Sequence, residues 1–132
     1  MLATARTGDE LAPAFSTLRS ASAGAVIVQT DSLFATQARQ IAELALSHRI
    51  AVLGGSREIV DAGGLMTYSP SIDWAYHRAA VYVDRILKGA KPADTPVEQP
   101  SKLELVINVR SAKALGLTLP SEVTFRADQL IQ

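Results

Sequence analysis

The chain has 132 residues, the size of one ordinary domain, with 48% hydrophobic and 20% charged residues. Thirteen Lys and Arg balance thirteen Asp and Glu, which excludes the basic excess of a duplex-wrapping or polybasic membrane-surface protein. The absence of Cys and the presence of two His exclude a disulfide framework, a thiolate metal site, a Cys nucleophile and a His-rich metal centre.

In chain order, Thr7-Gly8-Asp9-Glu10 fits a capping box. Leu11, Phe15 and Leu18 follow at helical spacing. Ala25-Val26-Ile27-Val28 is a short apolar run, expected as a buried parallel strand. Thr30-Asp31-Ser32 then offers N-cap candidates for a helix whose face carries Phe34, Ala38, Ile41, Ala42 and Ala45. Ile50 to Leu53 reads as a second buried strand. A short helix from Ser56 to about Ala62 ends at Gly63-Gly64. Leu65 to Tyr68 reads as a third strand.

Ser69-Pro70 has the form of an N-cap followed by Pro at the first helical position. Ile72, Tyr76, Ala79, Ala80, Val83 and Ile86 make an apolar stripe along a long helix, with Gly89 at its end. Lys91 to Pro100 is a Pro-rich connector. Leu103 to Asn108 is a fourth strand. Ser111 to Leu115 is a short helix closed by Gly116, and Pro120 is expected to open a last helix through Leu130. Strands alternating with helices imply an α/β domain with parallel pairing and right-handed crossovers. The longest apolar runs are too short for a membrane span. Met1 to Arg6 lacks the basic-then-apolar order of a signal peptide.

Several stretches are more specific than their pattern. They are Arg57-Glu58-Ile59-Val60-Asp61-Ala62-Gly63-Gly64-Leu65-Met66-Thr67-Tyr68-Ser69-Pro70, the run from Arg78 to Asp94, Pro96-Val97-Glu98-Gln99-Pro100, and Leu103-Glu104-Leu105-Val106-Ile107-Asn108 followed by Ala112 to Leu117. Together they resemble the substrate-binding proteins of ABC transporters, in the tryptophan- and tyrosine-type branch. The resemblance runs from about Thr7 to Gln132. It implies one lobe of a type 1 periplasmic binding protein: a three-layer α/β sandwich with a mostly parallel sheet. It also implies a single α/β domain over 1–132, matching the C-terminal lobe of a two-lobed protein, with 71–108 crossing toward the N-terminal lobe. In place of Leu53-Gly54-Gly55, relatives more often carry an aromatic or Pro-containing segment.

Ligands of open α/β sheets bind outside the carboxyl ends of the strands. That rule selects three loops: Thr30-Asp31-Ser32, Gly54 to Glu58, and Tyr68-Ser69-Pro70. The candidate ligand-binding residues are Thr30, Asp31, Ser56, Arg57, Glu58 and Ser69. Asp31 either accepts from a ligand ammonium or caps the next helix. Ser56 and the amides after it either hold an anion or form a plain N-cap. Arg57 and Glu58 either line a cleft or pair internally. Gly63-Gly64 lacks a phosphate-loop pattern and reads as helix termination. His48 suits a helix end and His77 a solvated helix face, and Trp74 either stacks on a ligand or packs at an interface or on the core. No nucleophile–base pair and no receiver-type acidic set is present, so no catalytic residue, metal ligand or cofactor is expected.

The resemblance implies a small organic solute, such as an aromatic amino acid, held between two lobes and presented to an ABC permease. It implies work in the periplasm or on a membrane anchor; a chain complete as written would stay in the cytoplasm. A lone lobe leaves the long helix without cover, and self-association through that helix and Val97 to Asn108 is expected. A non-transporting remnant or fragment that self-associates is the alternative. Nucleic acid is not an expected partner.

Overall fold

The computed structural model describes all residues 1–132. It divides into two compact units, residues 1–69 with 105–132, and residues 70–104. Five strands form one sheet: β1 (Ala25–Val28), β2 (Ala51–Gly54), β3 (Met66–Pro70), β4 (Leu103–Asn108) and β5 (Gln129–Ile131), in the order β1-β2-β3-β4-β5. The pairs β1–β2, β2–β3 and β4–β5 are parallel. This is the α/β domain with a mostly parallel sheet that the alternating pattern predicts.

The larger unit holds helices α1 (Leu11–Ser20), α2 (Ser32–Thr36), α3 (Ala38–His48) and α4 (Arg57–Asp61), then α6 (Val109–Leu115) and α7 (Ser121–Phe125). The residues at helical spacing in α1, Leu11, Phe15 and Leu18, are all buried. They pack with Ala38, Ile41 and Ala45 of α3, Val28, Val52 and Ile59. The register sets Val26 beside Val52 and Val28 beside Gly54, so these residues share the sheet face that α1, α3 and α4 cover. Ile41, Ile50 and Ile59 are at most 1% exposed. Each such side chain stabilises the fold by about 1.5–3 kcal/mol.

Gly63, at φ +124°, lets the chain leave α4 and turn into β3, a conformation that costs glycine no Cβ clash. The Gly63 carbonyl then accepts from Ser111 Oγ at 2.8 Å. Asn108 ends β4 and is 3% exposed. Its Nδ2 donates to Val60 O at 3.1 Å, and its Oδ1 accepts from Ser111 N at 3.1 Å. One side chain thus caps α6 and ties it to α4.

Four local expectations differ from the structure. Thr7 makes no side-chain cap bond; Gly8–Glu10 is a 3₁₀ turn, and Glu10 Oε2 accepts instead from Arg6 N at 2.7 Å. The single helix expected after Asp31 is two, because Thr36 Oγ1 donates to Leu33 O at 2.8 Å and Gln37 leaves helical geometry. Ser69 and Pro70 close β3; Ser71 is the N-cap of the long helix α5 (Ile72–Leu87), accepting from Trp74 N. The helix expected to run from Pro120 to Leu130 stops at Phe125. Asp128 explains that end: its N donates to Leu105 O at 2.9 Å, and its Oδ2 accepts from Leu105 N at 2.8 Å. Those two bonds draw Gln129–Ile131 into the sheet beside β4.

In the smaller unit, α5 has no buried residue. Ile72, Tyr76, Val83 and Ile86 of its apolar stripe are all exposed. The connector folds back on the helix through polar contacts. Arg78 pairs with Glu98 and lies 5.6 Å over the Tyr82 ring, and Tyr82 OH donates to Pro96 O at 3.0 Å. The Arg78 guanidinium holds the Glu98 carboxyl below the usual carboxylate range. Desolvation, followed by the Glu98 charge, pushes the Tyr82 hydroxyl up.

Two outcomes test this account. Asn108→Ala removes both bonds from a buried site and should cost about 2–3 kcal/mol in urea unfolding. Glu98 has a depressed folded pKa, so its contribution is present above the ordinary carboxylate pKa and fades as pH falls through the folded value. The protection factors of the amides in residues 92–100, each measured against the intrinsic exchange rate at the same pH, should therefore fall on acidification through the carboxylate range, and Glu98→Gln should show the lower protection already at pH 7.

Candidate functional site

The carboxyl ends of β1, β2 and β3 lie side by side, because the three strands are parallel neighbours. Thr30 leaves β1, Gly55 and Ser56 leave β2, and Ser69 lies near the end of β3. The structure therefore brings the three sequence-selected loops to one edge of the sheet.

The closest contact there joins the first two loops. Thr30 Oγ1 donates to Gly55 O at 2.9 Å. A Cβ built on Gly55 would lie 2.6 Å from both Thr30 N and Thr30 Oγ1, closer than any side-chain carbon tolerates. Glycine at 55 is required for the loops to touch. Gly55 N also donates to Val28 O at 2.8 Å.

Asp31 caps α2. Its Oδ1 accepts from Leu33 N at 2.7 Å, and the residue is exposed. The second oxygen remains for another donor. Arg57 pairs internally: its Nε donates to Asp61 at 3.1 Å, one helical turn away. Glu58 is exposed beside it, and its carboxyl is held below the usual range, first by the Ser56 hydroxyl and second by its own backbone N–H. Ser56 precedes α4 in extended conformation with no side-chain cap bond. Its Oγ is buried and makes no hydrogen bond of regular geometry. Ser69 is half-buried.

Thr67 is the residue that sequence reasoning missed. It is 1% exposed, its Oγ1 has no partner, and the register sets it beside Gly54. Two buried hydroxyls thus lie near the carboxyl end of β2: Thr67 Oγ1 without a partner, and Ser56 Oγ with only the Glu58 carboxyl beside it. Such groups cost roughly 1–3 kcal/mol when nothing meets them, so each marks a place where a water or a ligand atom is favoured. The sequence signal was a Thr inside an apolar strand, which reads equally as β propensity.

Other singled-out residues lie away from this edge. His48 stacks on Phe15 with ring centroids 6.3 Å apart. Trp74 and His77 belong to the smaller unit. A cavity of about 310 Å³ between α3 and α6 is lined by Ala45, Leu46, Val52, Leu65, Asn108 and Leu115 among others, and includes none of the candidate residues. Of the polar residues lining it, Asn108 and Ser111 are bonded to Val60 and Gly63, Glu43 pairs with Arg39 and Asp61 with Arg57. No three His, Asp or Glu side chains gather in a metal-binding group. No helix is long and apolar enough to cross a membrane.

The chain matches the ABC transporter substrate binding protein family over residues 1–131. It belongs to that family. Among solved structures, this member is similar to a conserved domain protein from Vibrio cholerae, at 24% identity and a TM-score of 0.87, over 97% of this chain and 43% of that one. It is similar also to an ABC domain in complex with L-Trp from Streptococcus pneumoniae, at 28% identity and a TM-score of 0.87, over 96% and 43%. A third is the ligand-free, open structure of a substrate binding protein with adhesive properties from Clostridium difficile, at 22% identity and a TM-score of 0.70, over 96% and 42%. The chain thus spans less than half the length of each of these structures. No curated protein matches it.

Gly55→Ala should force the Thr30 loop away, break the 2.9 Å bond and lower stability by about 1–3 kcal/mol. Chemical denaturation measures the loss, and shifted amide resonances confined to residues 29–31 and 54–58 would locate it.

Proposed function

We propose that this chain is a solute-binding lobe of an ABC-type import receptor and performs no chemistry. The observation that carries the reading is the meeting of Thr30, Gly55, Ser56 and Ser69 at one end of β1–β3, in a member of the substrate-binding family. The solute is a small organic molecule with an ammonium and a carboxylate, such as an aromatic amino acid; the L-Trp complex of the pneumococcal relative supports that class. The free Asp31 oxygen takes the ammonium. The Ser56 hydroxyl and Thr67 Oγ1 take polar atoms, directly or through water. Thr30 and Ser69 border the solute, and Arg57 and Glu58 set the charge at the rim.

A second lobe completes the cleft, and 71–108 crosses toward it. The uncovered stripe of α5 supports this: Tyr76 is 75% exposed and Val83 55%. The closed two-lobed form is presented to a permease, outside the cytoplasmic membrane. Half a cleft buries less of a ligand, so the lone lobe binds weakly.

The same stripe favours a second reading for the lone chain, in which two copies cover each other's α5. Light scattering with and without L-Trp, L-Tyr and L-Phe separates the two. Binding with millimolar affinity, accompanied by amide shifts at Asp31, Ser56 and Thr67 and abolished by Asp31→Ala, is the expected result. A stable dimer whose amide spectrum ignores all three amino acids would replace it with the second reading.

A further inference from the structure

The cavity between α3 and α6 is separate from the edge that carries Thr30, Ser56 and Ser69. Ile50 and Leu65, which line it, immediately precede β2 and β3. Asn108, also in its wall, ends β4 and donates its N–H to Leu65 O at 2.8 Å. The carboxyl end of β4 therefore meets the amino end of β3. The cavity lies at the opposite edge of the sheet from the three loops.

Two helices supply its sides with the same spacing. Ala42, Ala45 and Leu46 lie three and four residues apart on α3, and Ser111, Ala114 and Leu115 do so on α6. The alanines leave room where longer side chains would meet, so the two helices enclose about 310 Å³. That volume stands at the low end of small-molecule pockets, which run from about 300 to 1,000 Å³. Ile50 and Val52 at its base are at most 1% exposed, whereas Leu46 is 51% exposed at its mouth. Apolar surface thus leads from the core out to solvent.

The polar groups decide what fits. Asn108 and Ser111 already have partners, so water gains little by entering. Glu43 and Asp61 are each neutralised one helical turn away, by Arg39 at 2.8 Å and by Arg57 at 3.1 Å. Arg110 also lines the cavity; it is exposed, and no carboxylate of the chain pairs with it. The charge left over in the lining is therefore positive. The apolar side chains around it are all aliphatic, with no aromatic ring among them.

We propose that this cavity is a binding site for an aliphatic monocarboxylate. The hydrocarbon chain lies between α3 and α6, against Ala45, Leu46, Ala114 and Leu115, and the carboxylate pairs with the Arg110 guanidinium. It is a second site on the lobe and does not rest on the solute-binding reading.

The test titrates octanoate into the full chain, beside octanol and octylamine, and follows amide shifts. Octanoate should move the resonances of Ala45, Leu65, Ala114 and Leu115. It should bind more tightly than octanol, and octanol more tightly than octylamine. Going from hexanoate to octanoate should tighten binding about fourfold for each added CH₂. Arg110→Gln should weaken octanoate about fivefold and leave octanol unchanged. Ala114→Leu, at an exposed position, fills the space from the α6 side and should abolish binding while the thermal midpoint holds or rises. Tighter binding of octylamine would show that Glu43 and Asp61 set the charge, and would overturn the proposal. Shifts confined to Tyr76 and Val83 of the α5 stripe, or to Asp31 and Ser56, would overturn it too, as would undiminished binding by Ala114→Leu. Amino acids are read at Asp31, Ser56 and Thr67, so failure at one edge of the sheet is distinct from failure at the other.

Discussion

Strand β2 is the element on which the rest of the structure depends. It is parallel to both neighbours, so the carboxyl ends of three strands are held at one edge. Its buried Val52 also anchors the core built by α1, α3 and α4. Its last residue, Gly54, and Gly55 just after it lack side chains where a Cβ would strike Ile59 at 2.8 Å and Thr30 at 2.6 Å. Close packing beneath the edge and loop contact across it therefore share the same two glycines.

The chemistry at that edge follows from what those contacts leave unmet. Thr30 gives its hydroxyl proton to Gly55 O, Asp31 gives one oxygen to Leu33 N, and Arg57 is occupied by Asp61. Thr67 Oγ1 is buried and unmatched, and Ser56 Oγ is buried with only the Glu58 carboxyl beside it. An edge with neutral hydroxyls, an available Asp31 oxygen and the exposed Glu58 carboxylate is suited to holding a polar molecule.

The smaller unit obeys a different balance. Helix α5 carries an apolar stripe along its whole length, yet none of its residues is fully buried. Arg78, Tyr82 and Glu98 fix the connector to it by charge and hydrogen bonding. Exposed pairs of this kind contribute little to stability, so the stripe, and not the ion pair, is the surface with free energy still to gain.

Local signals were strong enough to determine much of this from the sequence. The apolar spacing of Leu11, Phe15 and Leu18, the branched runs of β1 and β2, the Gly63 and Gly116 helix ends and the three carboxyl-end loops are all set by period and by glycine chemistry. The family resemblance of the run from Arg57 onward lies in residue identity and needs no coordinates. Contacts distant in the chain decided the rest. Gln129–Ile131 is a strand because Asp128 reaches Leu105, twenty-three residues away. Ser71 rather than Ser69 caps α5 because β3 keeps Ser69 and Pro70. Asp31 as a cap, Arg57 as an ion-pair partner and Thr67 as a buried unmatched hydroxyl were each one of two readings open to the same residue type. A sequence specifies which groups a side chain carries; only the packed structure decides which of those groups are already satisfied.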